Sequence, residues 1–351
     1  MRPSRPGAAA DPAPLSRRAT MAGTVAALAG GTASAALAQT SPGQADGDVW
    51  MGRYWAVKGA GDKRVWLAMY RKRLGAPAPG EAPRPVLFLV HGSSNSALTS
   101  FDLSVPGHGE YSMMAVFARL GYDVWTLDHE NYGESSRTDS NSDIASGVED
   151  LKAGADVVAR ETGQASFHML GESSGALRAG AFAMARPDRV ARLVLEAFTY
   201  TGQGSPTLAD RAKQLDYYRT HNRRLRDRAM IESIFTRDRP GTTDPAVPEA
   251  LADAELVYGD TVPTGTYLDM TANLPVVDPK RVTCPVMLVK GEYDGISSLD
   301  DLYAFFKQLP NGNRQLVIIA GAAHAITLAK TRAAFWHAVN AFLTMPAPAE
   351  A

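Results

Sequence analysis

A serine lies in the pentapeptide Gly171-Glu172-Ser173-Ser174-Gly175, which has the form G-x-S-x-G. The motif follows the apolar run 167–170 and opens a helix-length segment, so it has the strand-turn-helix setting of a nucleophile elbow. Its glycines leave room for a tight backbone turn, and the hydroxyl of Ser173 would stand at a helix N-terminus, which favours developing negative charge. The pattern predicts that Ser173 is a nucleophile.

A serine hydroxyl needs a base that takes its proton and an acid that orients the base. In the elbow architecture the chain order is serine, acid, histidine. The histidines that follow the serine are His221, His324 and His337. His221 lies in a segment without strand patterns, and His337 is in the middle of a predicted helix. His324 ends a small-residue loop directly after the last predicted strand, so it is the predicted base.

Two carboxylates are candidates for the acid that orients this histidine. Asp294 follows the strand-like run 286–289, and Glu196 ends the strand-like run 193–196. Because the carboxyl ends of parallel strands meet at one edge of a sheet, both side chains can reach the histidine loop. We take Asp294 as the first candidate and Glu196 as the alternative.

The tetrahedral intermediate of acyl transfer needs N–H donors for its oxyanion. The first predicted donor is the backbone amide of Ser174, directly after the nucleophile. The second is the amide of Ser93, in the loop that follows the apolar run 86–90. Gly92 precedes Ser93 and allows close approach of the substrate to the backbone.

The elements that must position these residues alternate along the chain from Val49. Two segments of alternating apolar and polar residues, 49–57 and 63–73, predict antiparallel strands. Short apolar runs typical of buried parallel strands follow at 86–90, 123–127, 166–170, 190–195, 286–289 and 315–319. Amphipathic helical segments lie between most of them, at 111–120, 143–161, 174–185, 298–309 and 326–343. This alternation predicts an α/β fold with a mostly parallel central sheet and helices on both faces.

The segment 200–282 interrupts this alternation, because it has no clear buried strand and is helix-biased around 208–230 and 248–257. A connection of this length is structured, and we predict a helical cap that divides the core into 39–199 and 283–351. Some residues near the ends of the cap are predicted to line an apolar substrate pocket, with packing inside the cap as their alternative role: Tyr200, Tyr258, Tyr267 and Met270.

The first 38 residues differ from the rest of the chain. Arg17 and Arg18 precede a run rich in Ala, Gly and Thr, which ends in the A-x-A-like cleavage site 36–38. The pattern predicts a cleaved signal peptide, residues 1–38, in which 16–18 resembles a twin-arginine signal. We therefore expect a periplasmic or secreted protein. The run is only marginally apolar, so no stable membrane anchor is expected.

Composition limits the partners of the protein. The 351 residues are 45% hydrophobic and 21% charged, which is typical of a globular protein. Lys and Arg number 36 against 37 Asp and Glu, so the net charge of −1 gives no reason to expect a nucleic-acid partner. The single cysteine, Cys284, cannot form an intramolecular disulfide. No complete dinucleotide, P-loop or H-E-x-x-H motif is present, so neither a cofactor nor a catalytic metal is expected. The oligomeric state stays open.

Together these segments resemble the α/β-hydrolase superfamily over residues 49–343. The segments that carry the resemblance are the oxyanion loop 91–93, the turn 128–135 after the next strand, the elbow 171–175, the acid loop 291–294 and the histidine loop 321–324. The chain departs from the superfamily pattern at Glu130-Asn131, where Arg-Gly is usual, and at Ser174, where many members have an apolar residue.

The resemblance implies acyl transfer to water. Serine at position 173 argues against the haloalkane dehalogenases and epoxide hydrolases of the superfamily, which use aspartate there. We predict an exported carboxylesterase that acts on small to medium esters through an acyl-enzyme. An amidase or peptidase with the same residues is the first alternative. A cofactor-free haloperoxidase side activity and a non-catalytic binding protein on this fold are the others.

Overall fold

The computed structural model describes residues 49–346. In this part of the chain there are ten strands: β1 (Val49–Lys58), β2 (Val65–Leu74), β3 (Val86–Val90), β4 (Asp123–Leu127), β5 (Phe167–Glu172), β6 (Val190–Glu196), β7 (Arg223–Leu225), β8 (Thr261–Pro263), β9 (Val286–Gly291) and β10 (Arg314–Ile319). Eight of them form the central sheet in the order β1-β2-β4-β3-β5-β6-β9-β10. β1 pairs with β2 and β2 with β4 in antiparallel register, and the other neighbours are parallel. The predicted fold class is confirmed.

Helices cover both faces of this sheet. The α-helices of the described residues are α1 (Ala97–Phe101), α2 (Met113–Arg119), α3 (Ile144–Thr162), α4 (Ser174–Ala185), α5 (Pro206–Ala212), α6 (Leu215–Thr220), α7 (Arg228–Thr236), α8 (Ala246–Leu256), α9 (Gly265–Leu268), α10 (Leu299–Phe306) and α11 (Arg332–Leu343). Successive residues of a strand point to opposite faces, so buried strands feed two cores. Phe88 belongs to the apolar cluster that contains Leu177 of α4, whereas its neighbour Leu89 belongs to the cluster that contains Phe335 of α11.

The segment between β6 and β9 carries helices α5 to α9 and the small sheet of β7 and β8. Two strands thus lie where the sequence pattern indicated helix or loop: β7 falls inside the helix-biased stretch 208–230. β7 pairs with β8, which lies far along the chain, so no local pattern could reveal this pairing. An apolar cluster that includes Ile231 and Leu251 packs α7 against α8.

The C-terminal segment also differs from the predicted single helix 326–343. A 3-10 turn at Ile326–Leu328 precedes α11, and residues 329–331, of which Ala329 is extended, separate them. His337 is exposed on α11. The predicted signal peptide, residues 1–38, lies outside the described residues. Within residues 49–346, no helix has both the length and the apolar character needed to cross a membrane.

Candidate active site

Ser173 occupies the sharp turn between β5 and α4, where its backbone has φ 58° and ψ −121°. A positive φ is uncommon for a residue with a side chain and is kept only where the surroundings enforce it. The glycines beside it explain how the turn closes. A Cβ on Gly171 would lie 2.4 Å from the carbonyl oxygen of Gly175, and a Cβ on Gly175 would lie 2.2 Å from that of Val90. Only glycine fits at either position.

Replacing Gly175 with alanine is expected to destabilise the protein by about 1–3 kcal/mol, because the new methyl group overlaps a strand carbonyl. The shift of the elbow should also lower kcat/KM about a hundredfold. Gly312→Ala is the matched control, since nothing lies within 4 Å of a Cβ built there. Thermal unfolding and ester turnover check both variants. Equal melting temperatures for the two variants would contradict the argument.

His324 connects the serine to an acid through its two ring nitrogens. Nε2 lies 3.1 Å from Oγ of Ser173, and Nδ1 lies 2.9 Å from Oδ1 of Asp294. A carboxylate can only accept, so Nδ1–H donates to Asp294 and Nε2 is left to accept the hydroxyl proton. The three side chains come from the loops after β5, β9 and β10, at one edge of the sheet. The arrangement can activate a serine for nucleophilic attack.

The environment of Asp294 favours its charged form. Burial alone would raise the pKa of this carboxyl, but the adjacent His324, a backbone N–H and a lysine together outweigh burial. The backbone N–H of Ile296 donates to Oδ1 over 2.9 Å, and the ammonium of Lys290 lies nearby. The resulting pKa of Asp294 is below its ordinary value, so the residue is a carboxylate at neutral pH and can orient and stabilise a protonated histidine.

The alternative acid, Glu196, does not contact the histidine. Within residues 49–346 neither of its carboxyl oxygens has a hydrogen-bond partner. Burial raises the pKa of Glu196 well above its ordinary value, and the neighbouring Glu172 and Asp294 raise it further. The structure therefore brings together Ser173, His324 and Asp294, and it leaves Glu196 outside this hydrogen-bonded chain, in a buried position that favours its protonated form.

Glu172 faces Glu196 across β5 and β6, and burial raises its pKa to about 7. The folded state holds this proton more tightly than the unfolded state, in which the pKa lies near 4.5. The stabilisation that the folded state gains by binding this proton is therefore fully present below pH 4.5. It is lost as the pH rises through 7.

Glu172→Gln keeps the neutral side chain at every pH. Above pH 7 this variant should be more stable than the wild type by about 3 kcal/mol, with a difference that vanishes below pH 4.5. Denaturant unfolding between pH 4 and 8 measures the difference. Glu149→Gln, at a carboxylate that is 58% exposed, is the control. A stability difference that is independent of pH would show that Glu172 does not titrate as described.

The side chains of Ser93 and Ser174, whose backbone amides are the predicted oxyanion donors, are in contact. The hydroxyl of Ser93 donates to the hydroxyl of Ser174 over 2.6 Å, and both residues are buried. Ser174 is the first residue of α4, where a backbone N–H has no partner within the helix. A Cβ on Gly92 would lie 3.4 Å from Cβ of Ser173, so this glycine keeps the space above the nucleophile open.

The cap holds the oxyanion loop through an ion pair that the sequence did not suggest. Arg226 pairs with Glu255, and both side chains are almost fully buried. Glu255 also accepts from the backbone N–H and the hydroxyl of Ser96, over 2.9 and 2.8 Å. Arg226 donates to the carbonyl of Ser94 over 3.1 Å. Both residues lie in a segment that the sequence predicts to be helical. A helical pattern does not indicate contacts with residues more than 120 positions earlier in the chain.

His91 and Tyr132 hold the same loop from the other side. Nε2 of His91 accepts the backbone N–H of His129 over 3.1 Å, while Nδ1 lies 2.8 Å from the carbonyl of Gly92. The hydroxyl of Tyr132 donates to the carbonyl of Ser93 over 2.8 Å. Burial lowers the pKa of His91 well below its ordinary value, so it is a neutral positioning residue.

Most of the residues predicted to bind substrate lie elsewhere. Tyr200 packs edge-on against Phe305, and Met270 lines a separate cavity beside α5. The backbone carbonyl of Tyr258 accepts from Arg137, and this tyrosine does not line the cavity at the nucleophile. Of the predicted set, Gly92 lines that cavity. The hydroxyl of Tyr267 lies 2.9 Å from the hydroxyl of Ser94, which also lines it. Residue type and position in the sequence could not distinguish a side chain that packs within the cap from one that lines the substrate pocket.

The cavity at the nucleophile is narrow, about 30 Å³, and it adjoins a larger one of about 520 Å³. Ser173, His324 and Gly92 line the narrow cavity. The residues that line both cavities are Ser94, Arg211, Ile234 and Arg237. The larger cavity is large enough for a small ligand.

Asp238 of the cap lies close to the catalytic pair. One possible metal-ligand atom from each of Asp238, Asp294 and His324 lies within 4.8 Å of the other two. Two of these groups hydrogen-bond each other, and Asp238 accepts two hydrogen bonds of 2.8 Å from Arg237. Both ring nitrogens of His324, Oδ1 of Asp294 and both carboxyl oxygens of Asp238 are thus engaged within the protein, whereas Oδ2 of Asp294 has no partner among the described residues. We assign no metal to this group.

Comparisons with known proteins identify the family and the fold of the chain. The model of the family described as "Serine aminopeptidase, S33" matches residues 81–330, well over half of the chain. No curated protein matches the chain significantly in sequence.

Among solved structures, a hydrolase from Pseudomonas aeruginosa PA01 is similar to the chain with a TM-score of 0.61, 19% identity, and coverage of 83% of this chain and 98% of that chain. A thermophilic esterase from Thermogutta terrifontis has a TM-score of 0.58, 17% identity, and coverage of 83% and 97%. An enol-lactonase from Burkholderia xenovorans LB400 has a TM-score of 0.56, 16% identity, and coverage of 80% and 97%. At such identities the structures show a common fold. With the family match, they establish that the chain belongs to the serine aminopeptidase S33 family of the α/β-hydrolase superfamily.

Proposed function

We propose that the protein is a serine hydrolase that cleaves carboxylic esters of small to medium molecules. The observation that carries the proposal is the hydrogen-bonded chain from Ser173 through His324 to Asp294, with the serine in a strained turn at the N-terminus of α4. Such strain persists only where the surrounding structure enforces it, and it concentrates at functional sites. The esterases and the lactonase among the structural neighbours support ester chemistry.

In the proposed reaction, Oγ of Ser173 attacks the ester carbonyl carbon while Nε2 of His324 takes the hydroxyl proton. The backbone amides of Ser93 and Ser174 stabilise the oxyanion. The imidazolium, held by Asp294, then protonates the leaving alcohol, and an acyl-enzyme forms. Water attacks this acyl-enzyme with His324 again as base, which releases the carboxylic acid and restores the serine.

Hydrolysis of peptides from their amino end is the alternative that the family description raises. An aminopeptidase needs a carboxylate that can bind the substrate ammonium group. The cavity at the nucleophile is lined instead by the guanidinium groups of Arg211 and Arg237 and by Glu172, whose pKa is raised to about 7 by burial. Arg237 is paired with Asp238, but Arg211 has no carboxylate partner among residues 49–346, and its positive charge disfavours a substrate with a free amino end.

Hydrolysis of p-nitrophenyl esters of increasing acyl length by the purified protein tests the proposal, with matched p-nitroanilides of the same acyl groups beside them. Turnover of the esters above that of the anilides is the expected result. A protein that hydrolyses the anilides at least as fast would be an amidase. Labelling of Ser173 by an organophosphonate distinguishes an enzyme from a non-catalytic binding protein.

We also propose that the protein is exported and that residues 1–38 are removed. The proposal rests on the arginines, the Ala-rich run and the A-x-A-like site of the N-terminal segment. N-terminal sequencing of protein recovered outside the cytoplasm should begin at Gln39. Recovery of exported protein that still begins at Met1 would contradict cleavage.

A further inference from the structure

Three cap arginines converge on the two cavities described above. Arg211 is near the end of α5, Arg224 is in β7, and Arg237 directly follows α7. All three line the larger cavity, and Arg211 and Arg237 also line the narrow cavity with the nucleophile. Guanidinium groups from three separate elements thus face one space that connects to the site of chemistry.

The charges of these arginines are not balanced within the cavity. Arg237 is neutralised by Asp238 through two hydrogen bonds of 2.8 Å. Asp210, the other carboxylate of the cavity wall, pairs with Lys213 at 2.8 Å. Among residues 49–346, no carboxylate forms an ion pair with Arg211 or Arg224. Two positive charges are therefore left without a partner beside the candidate active site.

Tyr267 holds both unpaired guanidinium groups in place. Arg211 lies 5.0 Å from the centre of the Tyr267 ring, and Arg224 lies 4.6 Å from it. The tyrosine hydroxyl lies 2.9 Å from the hydroxyl of Ser94, which lines both cavities. The aromatic ring can position a cation but cannot neutralise it. Two arginines held about one fully buried ring form a preorganised site for an anion.

Arg211 and Arg224 are half-buried, so their charges are only partly hydrated. Burial lowers the pKa of Arg211, and the charges of Arg237 and Arg224 lower it further against the opposing effect of Tyr267 and Tyr218. A bound anion would offset the repulsion among these cations and the loss of their hydration. Guanidinium groups bind carboxylate and phosphate oxygens through paired, charge-assisted hydrogen bonds.

We propose that Arg211 and Arg224 form a subsite for an anionic group of the substrate, so that the enzyme prefers esters with a carboxylate or phosphate at a distance from the scissile bond. The proposal rests on the proposed ester hydrolysis. The reaction is still addition of water to the ester, which gives a carboxylic acid and an alcohol; the anion supplies binding energy and takes no part in bond exchange.

Matched substrate pairs test the preference. Monomethyl adipate is compared with methyl adipamate, in which a neutral amide replaces the carboxylate. The hexanoyl ester of glycolate is compared with that of glycolamide, which moves the charge to the alcohol side. The hexanoyl ester of 2-hydroxyethyl phosphate is compared with that of ethylene glycol. In at least one pair the anion should raise kcat/KM by about ten- to a hundredfold, and salt should reduce the gain.

Variants then assign the preference to the two arginines. Arg211→Gln and Arg224→Gln should each lower kcat/KM for the preferred anionic ester about tenfold or more, with a much smaller change for its neutral partner. Arg219→Gln is the matched control, because Arg219 is an exposed cap arginine that pairs with Asp216 at 3.3 Å. Equal losses of kcat/KM for the charged and the neutral ester would contradict the subsite but would not contradict the proposed ester hydrolysis.

A binding measurement separates this proposal from the proposed function. Calorimetry with the full-length Ser173→Ala protein uses the same three pairs as uncleaved ligands. Tighter binding of the anionic member of a pair, lost in Ser173→Ala/Arg211→Gln, supports the subsite even if the wild type hydrolyses no ester. Equal affinity for the charged and neutral members of every pair overturns it, whether or not ester turnover is found.

Discussion

The Ser173→Ala variant is expected to lose about four to six orders of magnitude in kcat for p-nitrophenyl esters. The variant has no oxygen nucleophile 3.1 Å from Nε2 of His324, so no acyl-enzyme can form. Any residual rate would come from the oxyanion donors and from substrate binding. Removal of one hydroxyl adds no atom to the turn and should leave the fold unchanged.

The His324→Ala variant should lose a similar amount, and the double variant little more than either alone, because the two residues act as one unit. Ser104→Ala, at an exposed serine outside the site, is the control. Steady-state kinetics and organophosphonate labelling measure the effects. Turnover within tenfold of the wild type in either single variant would remove Ser173 or His324 from the mechanism.

The second large effect concerns the two buried carboxyl groups near the histidine. Asp294→Asn should lower kcat about 10⁴-fold, because an asparagine at 2.9 Å from Nδ1 no longer holds the ring in the tautomer that accepts the serine proton. It also leaves the imidazolium of the reaction without its counterion. Structural damage should be small, because asparagine nearly matches aspartate in shape.

Glu196→Gln is the matched variant, since it makes the same chemical change in another buried acid. We expect a change of less than about threefold, because the raised pKa already keeps Glu196 neutral and its carboxyl does not contact His324. Parallel measurement of kcat and melting temperature for both variants gives the comparison. Loss of activity in Glu196→Gln with activity kept in Asp294→Asn would transfer the role of acid to Glu196.

Local sequence patterns predicted the core of the fold. Parallel strands buried on both faces appear as continuous apolar runs, and the runs 86–90 and 123–127 coincide with β3 and β4. The elbow was visible for the same reason, since strand, turn and helix are adjacent in the chain. Ser173, Asp294 and His324 each lie in the turn or loop after a strand, so the topology of a parallel sheet brings them to one edge.

The cap could not be predicted in the same detail. Its helices are short and its small sheet pairs β7 with β8 across a long stretch of chain, so hydrophobic periodicity carries little information about it. The sequence showed which residues of the cap are aromatic, but it did not show which residues they contact. Tyr200 packs within the protein, whereas Tyr267 lies behind the wall of the larger cavity.

The sequence by itself determined the type of sheet and predicted the candidate nucleophile, the candidate base and two candidate acids, because each depends on the end of one strand. Only the tertiary structure selected Asp294 over Glu196, through one hydrogen bond of 2.9 Å to His324. Only the tertiary structure also brought Arg211 and Arg224 to a single tyrosine and placed Glu255 on the oxyanion loop. These contacts join residues from distant parts of the chain, and their energies depend on burial and exact distance, which no local pattern records.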